Sequence, residues 1–130
     1  MSKGTFITAT GTDIGKTFVT ALIVKKLRDA DLNAGYYKAA LSGAEEQPDG
    51  SWLPGDAAYV AKISGIQEKG EELVSYIYKT AVSPHLAAMR EGNPVELGKV
   101  KEDFAAAQAK YDYLLKSVKK LNVSKFEKII

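Results

Sequence analysis

The feature that most constrains this chain lies near its amino terminus, where residues 8–17 read Thr-Ala-Thr-Gly-Thr-Asp-Ile-Gly-Lys-Thr. Residues 4–10 are rich in β-branched and aromatic types and predict a strand. Residues 16–30 predict an amphipathic helix, because apolar residues such as Val19 and Leu22 recur at helical spacing. A Gly-Lys-Thr sequence between a strand and a helix is typical of a loop whose main-chain N–H groups surround a phosphate. We therefore expect a phosphate-binding loop at the start of the first helix.

The loop departs from the general pattern at one position. The pattern G-x-x-x-x-G-K-[ST] has glycine where this chain has Thr10, and Gly11 is the neighbour that could serve instead. Lys16 is predicted to bring its ammonium to the β- and γ-phosphates of a nucleotide, and the Thr17 hydroxyl to ligate the bridging magnesium ion. The competing interpretation is a chance Gly-Lys-Thr that opens an ordinary helix.

Strand and helix patterns alternate along the rest of the sequence. Beyond the first helix, the predicted elements are a strand over residues 34–41, a loop over 42–54, a helix from 57, a short strand over 73–78, helices over 84–90 and 96–110, and a buried strand over 111–115. Such alternation predicts right-handed βαβ crossovers. We expect an α/β fold of the P-loop NTPase kind, with a mostly parallel sheet, flanking helices, and ligands at the carboxyl ends of the strands.

Charge is distributed unevenly along the 130 residues. Residues 1–115 carry thirteen Lys and Arg against fifteen Asp and Glu, whereas residues 116–130 carry five Lys against one Glu. We therefore predict a partial P-loop nucleotide-binding α/β domain at 1–115 and an atypical basic tail at 116–130. The first 115 residues lack the basic, aromatic-interleaved pattern of a nucleic-acid surface, so nucleic acid is not an expected partner.

Cysteine usage and hydropathy exclude further classes. The chain has no Cys, which excludes a disulfide framework, a Cys-based zinc site and a thiol nucleophile. No apolar run reaches the roughly 18 residues of a membrane span, and the amino terminus lacks the longer hydrophobic stretch of a secretory signal. We expect a cytoplasmic protein without a membrane partner.

Four segments together resemble the dethiobiotin synthases. The phosphate loop of that family commonly ends in Thr, an acid, a small apolar residue and Gly-Lys-Thr, and residues 12–17 fit this order. Residues 35–43 are similar to the family's second strand, with a lysine and a downstream Ser-Gly. Gly-Asp-Ala at 55–57 and Ser-Pro-His at 83–85 follow in the family's order. The resemblance spans nearly all of the first 115 residues.

The resemblance implies an ATP- and Mg²⁺-dependent ligase of biotin biosynthesis, which closes the ring of 7,8-diaminopelargonate with CO₂ to give dethiobiotin, ADP and phosphate. Fixed cations suit this chemistry, because a carbamate is a weak nucleophile and the transferring phosphoryl group is crowded with negative charge. The resemblance also implies a homodimer. The site residues that it implies are Lys16, Lys38 and Thr12 in catalysis, Asp13, Ile14, Gly15, Lys16, Thr17 and Phe18 at ATP and its phosphates, Thr12, Lys38 and Ser42 at the diamine or its carbamate, and Thr17 and Asp56 at magnesium.

Several of these residues also have plainer interpretations. By residue type alone, Lys38 is more often a solvated lysine at a strand end than a catalytic group. Asp56 stands just before a predicted helix, so its carboxylate could serve as the N-cap. Ser42 is more often part of turn chemistry. His85, beside Pro84 at a helix start, is interpreted as structural or substrate-lining rather than as a general base.

The serious departure from the family comes after Leu115. There the family continues with Val-Glu-Gly-Ala-Gly-Gly and a second half that supplies another acid, the adenine-binding region and part of a dimeric pocket, whereas this chain continues with Lys-Ser-Val. Our preferred hypothesis is a truncated or frame-shifted product with impaired activity. Alternatively, a short capping helix or strand has an apolar side formed by Val118, Leu121, Phe126, Ile129 and Ile130. A basic tail at a membrane surface is a third alternative.

Two other functions stay open at this point. One is a non-catalytic P-loop module that binds nucleotide and regulates a partner. The other is a related amidoligase of the cobyrinate type, which the absence of a glutaminase half disfavours. Lys38 and Ser42 distinguish the binding module from the ligase. A pure binding module needs only the first loop, whereas carbamate chemistry also needs the end of the second strand.

Overall fold

The computed structural model describes residues 3–7 and 14–117. In chain order its elements are β1 (Lys3–Ile7), α1 (Ile14–Asp29), β2 (Ala34–Leu41), β3 (Glu45–Glu46), β4 (Trp52–Leu53), α2 (Gly55–Ser64), a 3₁₀ turn (Gly70–Leu73), β5 (Val74–Ile77), α3 (Pro84–Glu91), α4 (Leu97–Lys110) and β6 (Tyr113–Ser117).

Four strands form one parallel sheet in the order β1-β6-β2-β5. In the register of this sheet, Tyr113 of β6 lies between Lys3 of β1 and Ala34 of β2, and Lys38 pairs with Val74 of β5. Because parallel neighbours need crossovers, a helical segment separates successive strands of this sheet. The predicted α/β fold, a parallel sheet with flanking helices, is confirmed.

Helices cover both faces of the sheet. Adjacent residues of β2 point in opposite directions, so they pack against helices on opposite faces. Tyr36 belongs to a buried cluster with Val24 of α1 and Val60 of α2. Tyr37 belongs to a cluster with Phe104 of α4, and their ring centroids lie 5.7 Å apart in an edge arrangement. The candidate site described below lies beside the α2 face.

The buried face of α1 differs in part from the predicted one, although Ile23 and Leu27 do pack against the core. Thr20, Ala21 and Val24 are fully buried, whereas Val19 and Leu22 are nearly half exposed. Since α1 packs against α2, small side chains occupy the contact. Helical spacing alone was compatible with more than one buried face, and only the position of α2 decides between them.

Element boundaries agree with the sequence most closely at β2, which spans residues 34–41 as predicted. The predicted loop over 42–54 contains an antiparallel pair, β3 with β4, that the sequence did not reveal. The last strand begins at Tyr113 rather than residue 111 and runs to Ser117, so its main chain crosses the domain boundary predicted after residue 115. Residues 118–130, and with them the hypotheses about the tail, lie outside the described residues.

Candidate functional site

Lys38 lies in the second half of β2, on the face that α2 covers, and is only 5% exposed. Its ammonium Nζ donates a hydrogen bond of 2.7 Å to Oδ2 of Asp56. A buried ammonium requires such a partner, because transfer of a charge out of water is costly unless it is paired. The alternative interpretation of Lys38 as a solvated strand-end lysine is therefore wrong.

Asp56 is the second residue of α2, and the N-cap interpretation of this residue is also wrong. Pro54 occupies the N-cap position with φ −78° and ψ 91°, and no side chain caps the helix. The main-chain carbonyl of Pro54 accepts a hydrogen bond of 2.9 Å from the N–H of Ala58. Asp56 instead bonds Lys38, while its place in the first turn also brings its negative charge to the positive end of the helix dipole.

Ser42 follows β2 and is held by the segment after β5. Its hydroxyl donates to the main-chain carbonyl of Val82, so it does not make a bond within its own turn. The N–H of Gly43 donates to the carbonyl of Thr80 at 3.2 Å, and Gly43 has a φ of +74°, a conformation that favours glycine. These bonds extend the pairing of β2 beyond its last residue and fix the position of Ser42.

The segment that holds Ser42 is itself anchored to α3. The Glu91 carboxylate accepts hydrogen bonds from the N–H of Thr80 at 2.7 Å and from its hydroxyl at 2.8 Å. The N–H bond of Thr80 is the main cause that lowers the pKa of Glu91 below its usual 4.5, because it stabilises the charged form. The end of α3 thereby positions the loop on which Ser42 depends.

The side chains of Lys38, Ser42 and Asp56 line one cavity of about 220 Å³ at the carboxyl end of β2. The structure thus brings together Lys38, Ser42 and Asp56, as the sequence led us to expect. Sequence reasoning missed Glu45 and Pro84, which also line the cavity. The only available signal for Glu45 was its place in the loop that follows the second strand. His85 is exposed and does not line this cavity, although its neighbour Pro84 does.

The predicted phosphate-loop residues are described only in part. Helix α1 begins at Ile14, and the first turn of a helix directs main-chain N–H groups toward an anion. Lys16 is buried, Thr17 is half-buried and Phe18 is about half exposed. The Lys16 carbonyl accepts a 2.7 Å hydrogen bond from the Thr20 hydroxyl. Thr12 and Asp13 lie outside the described residues.

Within this site, the Asp56 carboxylate is the group that could ligate a metal ion. Within residues 3–7 and 14–117, no cluster of three or more His, Cys, Asp or Glu side chains could hold an ion. The Asp56 carboxylate is 36% exposed and its Oδ1 atom takes no part in the ion pair. A carboxylate and a threonine hydroxyl are hard oxygen donors of the type that Mg²⁺ prefers, and this ion usually retains several waters and binds substrate phosphates. The side chains of Asp56 and Thr17 therefore fit magnesium chemically.

The helices of the described ranges were also compared with the requirements of a membrane span. None of them combines the length and apolar character needed to cross a bilayer.

Comparisons with known proteins agree with the geometry. The model of a family described as AAA domain matches residues 3–128. Over 114 residues the chain is 55% identical to the ATP-dependent dethiobiotin synthetase BioD of Clostridium botulinum strain Loch Maree, a match that covers 88% of this chain and 50% of that protein. It is 49% identical over 115 residues to the protein of the same name from Clostridium perfringens strain 13, with the same two coverages.

The chain spans about half the length of the curated relatives it matches. The resemblance to the dethiobiotin synthases is confirmed, because relatives of that name are 49% and 55% identical over 88% of this chain. The match to the family model extends over nearly the whole chain. This chain therefore belongs to the AAA domain family.

Proposed function

We propose that the chain corresponds to the phosphate-binding half of an ATP-dependent dethiobiotin synthetase, a ligase that closes the ring of 7,8-diaminopelargonate with CO₂. The observation that carries this proposal is the convergence of Lys38, Ser42 and Asp56 on one cavity. The names of the relatives at 49–55% identity support the same reaction. A carbamate and a transferring phosphoryl group are both anionic, and an ammonium held in a partly water-excluded cavity stabilises such charge more strongly than one in water.

In this proposal Lys38 contacts the carbamate and the γ-phosphate. Its burial supports this role, because a desolvated ammonium with a single carboxylate partner is a pre-positioned cation. Ser42 would orient the diamine or its carbamate from the cavity wall. The hydroxyl of Ser42 already donates to the Val82 carbonyl, so its oxygen lone pairs would accept an N–H of the substrate.

The nucleotide would lie at the start of α1. Lys16 is proposed to neutralise the β- and γ-phosphates, with Ile14, Gly15, Thr17 and Phe18 around the phosphates in the first turn of the helix. The roles of Thr12 at the substrate and Asp13 at the nucleotide stay predictions.

Magnesium would be held by Thr17 and Asp56. When bound, such an ion would neutralise negative charge on the transferring phosphoryl group and on the adjacent β-phosphate. The Asp56 side chain is partly exposed while its Oδ2 atom is paired with Lys38, which supports a role for the other carboxylate oxygen as a metal ligand.

We also propose a homodimer and a cytoplasmic location. Exposed apolar side chains on α3 and at the start of α4 support an association surface, since Met89 is 66% exposed and Leu97 is 49% exposed. A non-catalytic nucleotide-binding module is not favoured, because such a module has no need of the cavity that Lys38, Ser42 and Asp56 line and the relatives carry the name of a ligase.

The test is formation of ADP from ATP by the full chain in the presence of 7,8-diaminopelargonate and bicarbonate, with dethiobiotin detected by mass spectrometry. Any ADP formation that depends on the diamine should fall at least about 100-fold in Lys16→Ala, a loss typical of a group that stabilises transition-state charge. Lys26→Ala is the matched control, because Lys26 is exposed on the same helix.

ATP binding is measured separately by equilibrium titration. A folded chain that binds ATP without diamine-dependent turnover would favour a half-enzyme with impaired activity, whereas diamine-dependent turnover would contradict the impairment. A folded chain that does not bind ATP would contradict the phosphate-loop assignment itself.

A further inference from the structure

The hairpin of β3 and β4 connects two parts of the wall of the candidate cavity. Ser42, which precedes β3, and Glu45, its first residue, line the cavity on the β2 side. Gly55 and Asp56 line the same cavity at the start of α2, which follows β4. The position of the hairpin therefore bears on the distance between the Ser42 hydroxyl and the Asp56 carboxylate.

This hairpin needs support from the rest of the molecule. Each of its strands has only two residues, and a two-stranded hairpin by itself is marginally stable in water. Its turn is closed by the N–H of Gln47, which donates to the carbonyl of Ser51 at 2.8 Å. That bond orders the turn but does not attach it to the sheet, so the place of the hairpin depends on its contacts with other segments.

Trp52 makes such a contact at β4. The side chain packs against the main buried cluster, and the ammonium of Lys79 lies over its ring, 4.5 Å from the centroid. Other ammonium–ring distances among the described residues are 5.7 to 5.8 Å. Tryptophan is also the side chain whose ring attracts a cation most strongly. Only Pro54, which is fully buried, separates β4 from α2, so Trp52 is closely tied to the helix that carries Asp56.

Lys79 belongs to the segment that holds the other side of the cavity. The carbonyl of Tyr78 accepts a hydrogen bond of 3.0 Å from the N–H of Ala44, and the carbonyl of Thr80 accepts one of 3.2 Å from Gly43. The same segment continues to the Val82 carbonyl, to which the Ser42 hydroxyl donates. The contact between Lys79 and Trp52 therefore joins the segment that fixes Ser42 to the strand that leads into α2.

We propose that Lys79 is a positioning residue of the candidate site and acts through Trp52. It holds the indole ring and thereby fixes the distance between Ser42 and the ion pair of Lys38 with Asp56. The proposal rests on the assignment of this cavity to the diamine, because a substrate that contacts both groups at once binds well only when their separation is fixed. The Lys79 ammonium does not line the cavity and need not contact the substrate.

The first test needs no ligand and measures amide hydrogen exchange by ¹⁵N NMR on the full chain. Lys79→Met should speed exchange of the Gly43 and Ala44 amides about fivefold, the factor expected for loss of one cation–π contact. Lys79→Arg should restore the original rates, because guanidinium keeps the charge and stacks on aromatic rings. The Tyr111 amide, at the other end of the sheet, should be unchanged in both variants.

The same spectra carry a direct signal from the contact. Trp52 is the only Trp of the chain, so its indole N–H gives a single assignable peak. This peak should move in Lys79→Met and return toward its original position in Lys79→Arg. Peak dispersion establishes that each variant is folded.

The second test is titration with 7,8-diaminopelargonate and, separately, with ATP. Lys79→Met should weaken diamine binding about fivefold and leave ATP affinity unchanged, because the nucleotide is assigned to the start of α1. Lys3→Met is the matched control. It removes an ammonium that lies over the Tyr113 ring at 5.8 Å, at the amino end of β1, and should change neither affinity.

A double-mutant cycle establishes that Lys79 acts through Trp52. The Lys79 ammonium also interacts with the Glu91 carboxylate, which offers a second route to the same segment. In a Trp52→Leu background, Lys79→Met should cause no further change in the exchange of Gly43 and Ala44. An equal effect in both backgrounds would assign the role of Lys79 to Glu91 and overturn the proposal.

Unchanged exchange in folded Lys79→Met, or failure of Lys79→Arg to restore the rates, would also overturn it, as would diamine affinity that does not fall in Lys79→Met. Absence of diamine binding in the original chain would instead contradict the proposed function, and the exchange rates would still decide whether Lys79 acts through Trp52.

Discussion

Replacement of Asp56 by Asn perturbs the ion pair that anchors the candidate site. The substitution keeps the shape of the side chain but removes the negative charge that lies 2.7 Å from the ammonium of Lys38. Because the Lys38 side chain is only 6% exposed, water cannot replace the lost partner. We therefore expect the free energy of unfolding to fall.

The magnitude follows from the separation and the burial. At an effective dielectric constant of about 20, two unit charges at this distance attract by about 6 kcal/mol. Desolvation of Lys38 offsets most of that attraction, and the Asp56 side chain is 36% exposed, so solvent screens part of the remainder. A net coupling of about 2 kcal/mol remains, and Asp56→Asn alone should destabilise the chain by about 2 to 3 kcal/mol.

The assay is a double-mutant cycle in urea, with Asp56→Asn, Lys38→Met and the double variant compared with the original chain. The exposed pair Lys25 and Asp29 is the matched control, since its N–O distance is also 2.7 Å while its side chains are 47% and 63% exposed. Its coupling should be about 0.5 kcal/mol or less. A buried-pair coupling no larger than that of the control would refute the argument that burial makes this ion pair matter.

Three further predictions concern individual hydrogen bonds and close contacts of the fold. Ser42→Ala removes the hydrogen bond to the Val82 carbonyl and should lower the free energy of unfolding by about 1 kcal/mol in urea; no loss would mean that this bond does not hold the loop. The folded-state pKa of Glu91 is lowered, so its contribution is fully present above its usual 4.5 and is lost as pH falls through the lowered value. Thermal melts of Glu91→Gln and the original chain should differ at pH 7 and converge toward pH 3, whereas a constant difference would contradict this. Gly35→Ala places a methyl group 2.3 Å from the Tyr111 ring and should lower the free energy of unfolding by about 3 kcal/mol. Gly98→Ala is the control, because its methyl group meets no atom within 4 Å, and it should be neutral or slightly stabilising in the same urea measurement.

The sequence by itself determined the alternation of strands and helices along the described residues, and it predicts the place of the phosphate loop. It did so because these depend on local properties, namely the periodicity of apolar residues and the backbone preferences of Gly, Pro and β-branched types. The bounds of β2 could be read directly from residues 34–41. Proline at the start of α3 and Gly92 at its end likewise predicted that helix, and Gly92 has the left-handed conformation expected of a helix C-cap.

The candidate site could be predicted only as a set of residues. Residue type and family resemblance selected Lys38, Ser42 and Asp56, but neither shows that Lys38 is buried or that its partner is the carboxylate of Asp56. That carboxylate had an equally good local use as a helix cap, and the position of Pro54 removed that option. The roles of Thr12 and Asp13 stay predictions.

Tertiary structure decided which local possibilities are realised. The insertion of β6 between β1 and β2 brings the end of the described chain into the middle of the sheet, and no local pattern encodes that order. The packing of α1 on α2 selected the buried face of α1 and left Val19 and Leu22 partly exposed. The free energy of burial depends on which surfaces meet across the sheet, and those surfaces come from segments that are distant in sequence.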